Sequence, residues 1–154
     1  MSIKLASTDF MHVVKHAPLI SIDFIIENEN SEYLLGLRKN QPAAGYWFVL
    51  GGRIRKNESI DSAFLRLSNE ELGIAIERSE AKPFGVWEHF YNTNAYEEEG
   101  FGTHYIVLAY KIKLSLHLSI LPNLQHTEYR WIKRAEVIED PSIHDNSRAY
   151  FIEQ

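Results

Sequence analysis

Cysteine is absent from all 154 residues. That excludes disulfides, thiolate metal sites and a cysteine nucleophile. An excess of positive charge is missing too: 16 Lys and Arg face 21 Asp and Glu, for a formal net charge of −5. A nucleic acid is therefore not expected as a partner, because phosphate backbones select a basic face. No apolar run approaches the roughly 18 residues of a membrane span, so no membrane partner is expected. Met1–Lys15 lacks the charged-then-apolar order of a signal peptide, its apolar residues being interrupted by Asp9, His12 and Lys15. The expected address is the cytoplasm. Repeats, low-complexity tracts and interdomain linkers are also missing. What is present is 45% apolar and 24% charged residues, the balance of one globular domain over 1–154 with a real core.

Residues 8–15 have the pattern of a short helix capped by Ser7 or Thr8, with Pro18 beyond its end. Leu19–Glu27 predicts a strand with Ile20, Ile22, Phe24 and Ile26 on one face and Leu19, Ser21, Asp23 and Ile25 on the other. A turn at 28–31 and a strand at 33–38 complete a hairpin. A loop around Pro42 follows, then a short apolar strand from Trp47 to Leu50 that ends in Gly51-Gly52. The clearest helix lies between Asn57, a candidate N-cap, and Gly73, a candidate stop, with Ile60, Ala63, Phe64 and Leu67 as its buried stripe. Strands are expected over Pro83–Tyr91, Thr103–Leu114 and Tyr129–Ile132, and a last helix over Ser147–Glu153. The polar loop Asn92–Gly102, with Glu97-Glu98-Glu99, reads as a mobile lid or a solvated surface. Strands and helices mix without βαβ regularity, so the class is α+β.

Chemistry concentrates in Gly52-x5-Glu58-x7-Arg66-Leu67-Ser68-Asn69-Glu70-Glu71-Leu72-Gly73-Ile74. A Gly-Gly turn allows close approach of backbone to a ligand. Glu70 and Glu71 continue the apolar stripe by one turn, so at least one carboxylate should aim inward, where an uncompensated charge is costly. Two acids in a last helical turn also oppose the macrodipole. A hard divalent cation with oxygen ligands, Mg²⁺ beside a phosphate, would resolve both conflicts. The alternative from the glutamates alone is a solvated pair that binds nothing.

The spacing resembles the Nudix box, G-x5-E-x7-R-E-U-x-E-E-x-G-U, with U a bulky aliphatic residue. Gly52, Glu58, Arg66, Glu70, Glu71, Gly73 and Ile74 agree; Leu67 stands where the box has Glu, and Ser68 where it has an aliphatic residue. Leu50 stands where most Nudix proteins have Pro. The resemblance implies a Nudix fold, an α/β/α sandwich around a mixed β-sheet, and hydrolysis of a nucleoside diphosphate linked to another group. Leu67 removes one carboxylate from the family's metal cluster, which leaves either a crippled site or one with fewer metals and different chemistry.

From Asp9 to Phe151 the chain also resembles the GDP-mannose mannosyl hydrolase subfamily. The matching stretches include 18–24, 34–40, 45–49, 85–91, 103–105, Gln125-His126, 129–131 and 146–151. This subfamily also lacks the box glutamate at the position of Leu67, and cleaves the sugar C1–O bond with inversion, giving GDP and free hexose. An oxocarbenium-like displacement with so good a leaving group needs no protonating carboxylic acid. It needs stabilisation of charge on the departing diphosphate.

The resemblance implies one Mg²⁺ per site, with Mn²⁺ as a substitute, held by Glu71, the Gly51 carbonyl, the Gln125 side chain and diphosphate oxygens. Glu70 is a further candidate ligand. Arg38 and Arg53 match the arginines on the leaving group, where a permanent charge and a forked donor suit phosphate. His126 matches the general base, in a loop spanning 119–127. For Asp23 the resemblance implies a residue that orients that base or contacts the sugar; its bland reading is a surface acid on an edge strand. His89 and Tyr105 match positions that assist catalysis. A carboxylate and an aromatic ring would suit guanine, with Asp9, Phe10 and Tyr91 as candidates. The resemblance further implies a homodimer and a GDP-sugar substrate, GDP-mannose or GDP-glucose. Two other readings stay open: a pyrophosphohydrolase cleaving the P–O–P bridge, and a non-catalytic nucleotide-sugar-binding module.

Overall fold

The computed structural model describes residues 4–122 and 126–152. Gln125 therefore lies outside the described residues. In chain order the elements are α1 (Ser7–His16), β1 (Leu19–Glu27), β2 (Glu32–Arg38), β3 (Trp47–Phe48), β4 (Leu50–Arg53), α2 (Ile60–Leu72), β5 (Lys82–Tyr91), β6 (Thr103–Lys113), β7 (His126–Lys133), α3 (Arg134–Glu139) and α4 (Asp145–Ile152). No described helix is long and apolar enough to cross a membrane.

The alternation read in β1 decides the layers. Ile22, Phe24 and Ile26 join one core with Ala63, Phe64, Leu67 and Leu72 of α2. Ile25, on the other face, joins Val137 of α3 and Tyr150 and Phe151 of α4. Successive strand side chains point to opposite faces, so one sheet is covered on both sides by helices. The sheet runs β3-β2-β1-β6-β5, with β4 also on β1 and β7 also on β2. It is mixed, since β1 and β6 are parallel whereas β1 pairs antiparallel with β2 and β4. This is the α+β sandwich expected. No helix of the α2 or α4 kind covers Ile20 of β1, which is 49% exposed, or Val86 and Phe90 of the edge strand β5.

Several local expectations are corrected. The 19–38 hairpin pairs only beside its turn, at Glu27 and Tyr33. The strands then part, and β4 takes the place along β1 from Ser21 to Phe24. Gly51 and Gly52 lie inside β4, not in a turn. Their lack of a side chain serves close approach: a Cβ on Gly51 would sit 2.2 Å from the Ile22 carbonyl oxygen, and one on Gly52 would sit 2.4 Å from Leu67 Cδ2. Leu50 is fully buried and opposite Phe24. A proline there would remove an N–H from a strand in mid-sheet.

Asn57 is not the cap of α2. Ser59 is, its side chain accepting from the Ser62 N–H at 3.0 Å, and Asn57 instead turns the chain with φ at 67°. Gly73 ends the helix with φ at 75°. Ile60, predicted in the stripe, is 39% exposed, whereas Ser68 and Glu71 extend the stripe inward. α1 begins one residue earlier than expected, after Ala6 and without a side-chain cap. α3 was not legible: six residues hold only one buried side chain, Val137.

Candidate active site

One pocket is lined by Ser21, Asp23, Arg38, Phe48, Val49, Gly51, Gly52, Arg53, His89, Tyr91, Tyr105 and His126. Its floor follows from register. Asp23 is opposite Gly51 and Ser21 opposite Arg53 between β1 and β4. Leu19 is level with Tyr105 and Ser21 with Val107 between β1 and β6. Tyr105 is opposite His89 between β6 and β5. Residues level across a sheet share a face. So Asp23, Arg53, Tyr105, His89 and Tyr91, from four separate strands, emerge on one side. It is the side α3 and α4 cover only in part.

Arg38 and His126 come from the neighbouring pair. They are opposite each other where β2 and β7 meet, just past an irregularity in the ladder after Gly36. His126 is thus the first residue of β7 and 5% exposed, not a residue of an open loop. Gly36 makes room for its ring, since a Cβ there would lie 2.6 Å from His126 Cδ2. Burial, then the charges of Arg38 and Lys39, lower its pKa to about 4. The ring is therefore neutral at physiological pH. Its Nδ1 is 3.8 Å from Glu71 Oε2 and is shielded from solvent without a hydrogen-bond partner. With a neutral ring that approach is not an ion pair.

The glutamates of the box divide. Glu71 is 4% exposed, and its Oε1 is 3.9 Å from the point where a Gly52 Cβ would stand. Glu70 is turned to Arg66, whose Nη1 donates to it at 3.0 Å; its side chain is 41% exposed. Arg66 also holds Glu58 through Nε and Nη2, at 2.6 and 2.8 Å, and donates to the Arg53 carbonyl at 2.9 Å. This pairing keeps the Glu58 carboxyl below its usual range. Arg66 thereby braces the end of β4 against α2. Leu67 is 2% exposed within the apolar core, against Gly52. Among the described residues, no three acidic or histidine side chains converge as a metal cluster.

A hard cation nevertheless fits what remains. A carboxylate, with oxygens only and buried beside the bare Gly51-Gly52 backbone, is the donor chemistry Mg²⁺ takes. Arg53 lies over the Phe10 ring at 4.8 Å and Arg38 over the Phe48 ring at 5.4 Å. These contacts steer both guanidinium groups over the pocket rim. Burial lowers the Arg53 pKa and raises that of Tyr105. The Tyr91 hydroxyl is pushed up to about 12, mainly by burial. Phe10 thus reaches the site through Arg53. Asp9 is an exposed residue of α1 with no contact to the pocket.

Two side chains not singled out in the sequence contact the residues that line the pocket. Tyr150 of α4 is fully buried and donates its hydroxyl to Asp23 Oδ2 at 2.6 Å. The Tyr150 hydroxyl oxygen is also 3.3 Å from His89 Nε2. Burial raises the Asp23 carboxyl to about 6, against the pull of Tyr150 and Arg38. Burial also lowers His89 to about 4, with His144 adding repulsion. His144 stacks on Phe48, ring centres 4.8 Å apart, and lies 5.3 Å from the Tyr91 ring. A partner separated by more than a hundred residues leaves no local signal, which is why Tyr150 was missed. The loop 92–102 is tied to itself. Asn94 is fully buried, donates to the Glu98 and Phe101 carbonyls at 2.8 and 3.0 Å, and accepts from the Glu98 N–H at 3.0 Å. Its three consecutive glutamates face solvent.

Residues 17–154 match the NUDIX domain family. Low-salt glycan biosynthesis protein Agl8 of Haloferax volcanii is 37% identical over 112 residues, which cover 72% of this chain and 69% of that protein. Among solved structures, the MutT NUDIX hydrolase from Burkholderia pseudomallei is similar with a TM-score of 0.69 at 25% identity, covering 89% of this chain and 98% of that one. The NUDIX domain of Shewanella oneidensis NrtR, in complex with ADP ribose, has a TM-score of 0.59 at 18% identity, covering 97% and 98% of the two chains, and shows a likeness of fold alone. A family match over most of the length, a box whose glycines and glutamates hold β4 against α2, and a mixed sheet between helices lead to one conclusion: the chain belongs to the Nudix family.

Proposed function

We propose that this Nudix hydrolase cleaves a GDP-hexose, GDP-mannose or GDP-glucose, at the sugar C1–O bond. The observation that carries the reading is the pocket itself. It combines two arginines and a buried neutral histidine, whose Nδ1 is 3.8 Å from the inward Glu71, while Leu67 fills with hydrocarbon the place where the box has a glutamate. A relative named for glycan biosynthesis supports a sugar-bearing substrate.

The roles are those the subfamily resemblance implies, and the pocket geometry supports them. Water attacks C1 from the face opposite the diphosphate, and its oxygen becomes the new anomeric hydroxyl. The C1–O bond breaks with its electron pair going to the diphosphate oxygen, so configuration inverts. His126 takes the proton from the attacking water; burial keeps the ring in the basic form that task requires. Arg38, Arg53 and the Tyr105 hydroxyl hold the departing diphosphate, where charge develops. Asp23 and His89 line the part of the pocket left for the hexose. The aromatic rings of Phe10 and Tyr91 are assigned to the base. Glu71 and the Gly51 carbonyl would hold one Mg²⁺, with Gln125 and Glu70 as further candidates. When bound, the ion neutralises charge on the leaving diphosphate. The proposal includes a homodimer, for which the exposed Val86 and Phe90 of β5 offer an apolar surface.

Hydrolysis of GDP-mannose with Mg²⁺ in ¹⁸O-water tests this. Label in free mannose beside unlabelled GDP is the expected result. Label in GMP or mannose phosphate would mean attack at phosphorus. Binding without turnover would favour a nucleotide-sugar-binding module.

A further inference from the structure

We propose that Tyr150 is a positioning residue that fixes the tautomer of His89 and so makes Nδ1 of His89 a hydrogen-bond acceptor for a ligand hydroxyl. A tyrosine hydroxyl has one proton. At 2.6 Å it is committed to Asp23 Oδ2. A carboxylate accepts and has no proton to return, so the Tyr150 oxygen offers only lone pairs to its second neighbour, His89 Nε2, at 3.3 Å. That contact is favourable only when Nε2 carries the hydrogen. A neutral imidazole has one N–H, so Nδ1 is left as a lone pair.

The surroundings lock this arrangement. Tyr150 is fully buried, with Trp87 edge-on at 4.8 Å and Phe84 at 6.4 Å, so its ring has no room to turn the hydroxyl elsewhere. Asp23 and His89 sit on different strands of one face and both line the pocket. The donors of the chain His89 to Tyr150 to Asp23 are therefore spent on one another, which leaves His89 Nδ1 and the second Asp23 oxygen as the acceptors these two lining residues offer. Acceptors side by side suit hydroxyl donors and repel phosphate oxygens. On the GDP-sugar reading, on which the ligand class rests, this wall faces the hexose and the diphosphate must lie on the side of Arg38 and Arg53. His89 then selects a sugar by the position of a hydroxyl rather than assisting the leaving group.

The test is a long-range ¹H–¹⁵N spectrum of the uniformly labelled protein at neutral pH without any nucleotide. The expected pattern for His89, assigned by its loss in His89→Gln, is a protonated Nε2 and a bare Nδ1. A protonated Nδ1, or a doubly protonated ring, overturns the inference. The Tyr150→Phe variant keeps the packing and removes the hydroxyl; it should release His89 to a mixture of tautomers. Its kcat on GDP-mannose should fall on the order of 10-fold or more with KM little changed. Unchanged tautomer and rate in that variant also overturn it. Should GDP-mannose not be turned over at all, the functional reading fails, and the spectrum still decides the tautomer by itself.

Discussion

The carboxyl of Asp23 should cost the fold stability that the site spends on function. Burial raises it from 3.8 to about 6. Each unit is about 1.4 kcal/mol, so the ionised form disfavours the folded state by about 3 kcal/mol. Asp23→Asn removes the charge, keeps the shape and keeps an oxygen to accept from Tyr150. The sign follows from proton counts. Between pH 3.8 and about 6 the folded state holds a proton that the unfolded state has lost. Wild-type stability is therefore penalised progressively as pH rises through that window, and the penalty is complete above it. Urea unfolding in chelator should show the variant more stable by up to about 3 kcal/mol near neutral pH, with the gain shrinking as pH falls and vanishing below 3.8. Turnover should be lost in the same variant. A variant that is less stable at neutral pH, or a gain that persists unchanged in acid, would refute the reasoning.

Three further outcomes are expected. His126→Gln should lower kcat by about 10²–10⁴ while GDP affinity, measured by calorimetry, is kept. Gly36→Ala should displace the same ring, because its Cβ would meet His126 Cδ2 at 2.6 Å; turnover should fall with the far-UV spectrum unchanged. His89 and His126 are both lowered to about 4 from 6.5. Their neutral burial is fully tolerated above 6.5 and penalised as pH falls from there towards 4, so wild-type and Asp23→Asn alike should lose stability on that acid limb, and a double His89→Gln, His126→Gln variant should lose less.

Ser68 illustrates what the box alone does not tell. It stands where an aliphatic residue is usual, yet it is fully buried, accepts the Ile76 N–H at 2.8 Å and donates to the Leu65 carbonyl at 3.1 Å. Its hydroxyl satisfies backbone beyond the helix stop, where a methyl would not. Leu67 illustrates the converse. Its chemistry, the missing acid, was plain in sequence, and its role as packing against Gly52 needed the helix seated on β4. Asn57 misled because a residue suited to capping is equally suited to positive φ.

Strand period and the stop at Gly73 depend on neighbours one to four residues away, so the chain determined them locally and they could be read directly. The hydrophobic alternation of β1 fixed which residues share a face, but not which strand lies beside it. Tertiary structure decided that β4 enters between β1 and β2, that β6 runs parallel to β1 in the register aligning Tyr105 with the pocket, and that Arg66 takes Glu58 and Glu70 while Glu71 stays inside. It also decided that a tyrosine near the C-terminus donates to an aspartate 127 residues before it. Such choices rest on packing between elements distant in the chain, where many registers satisfy the same local pattern and only the assembled core selects one.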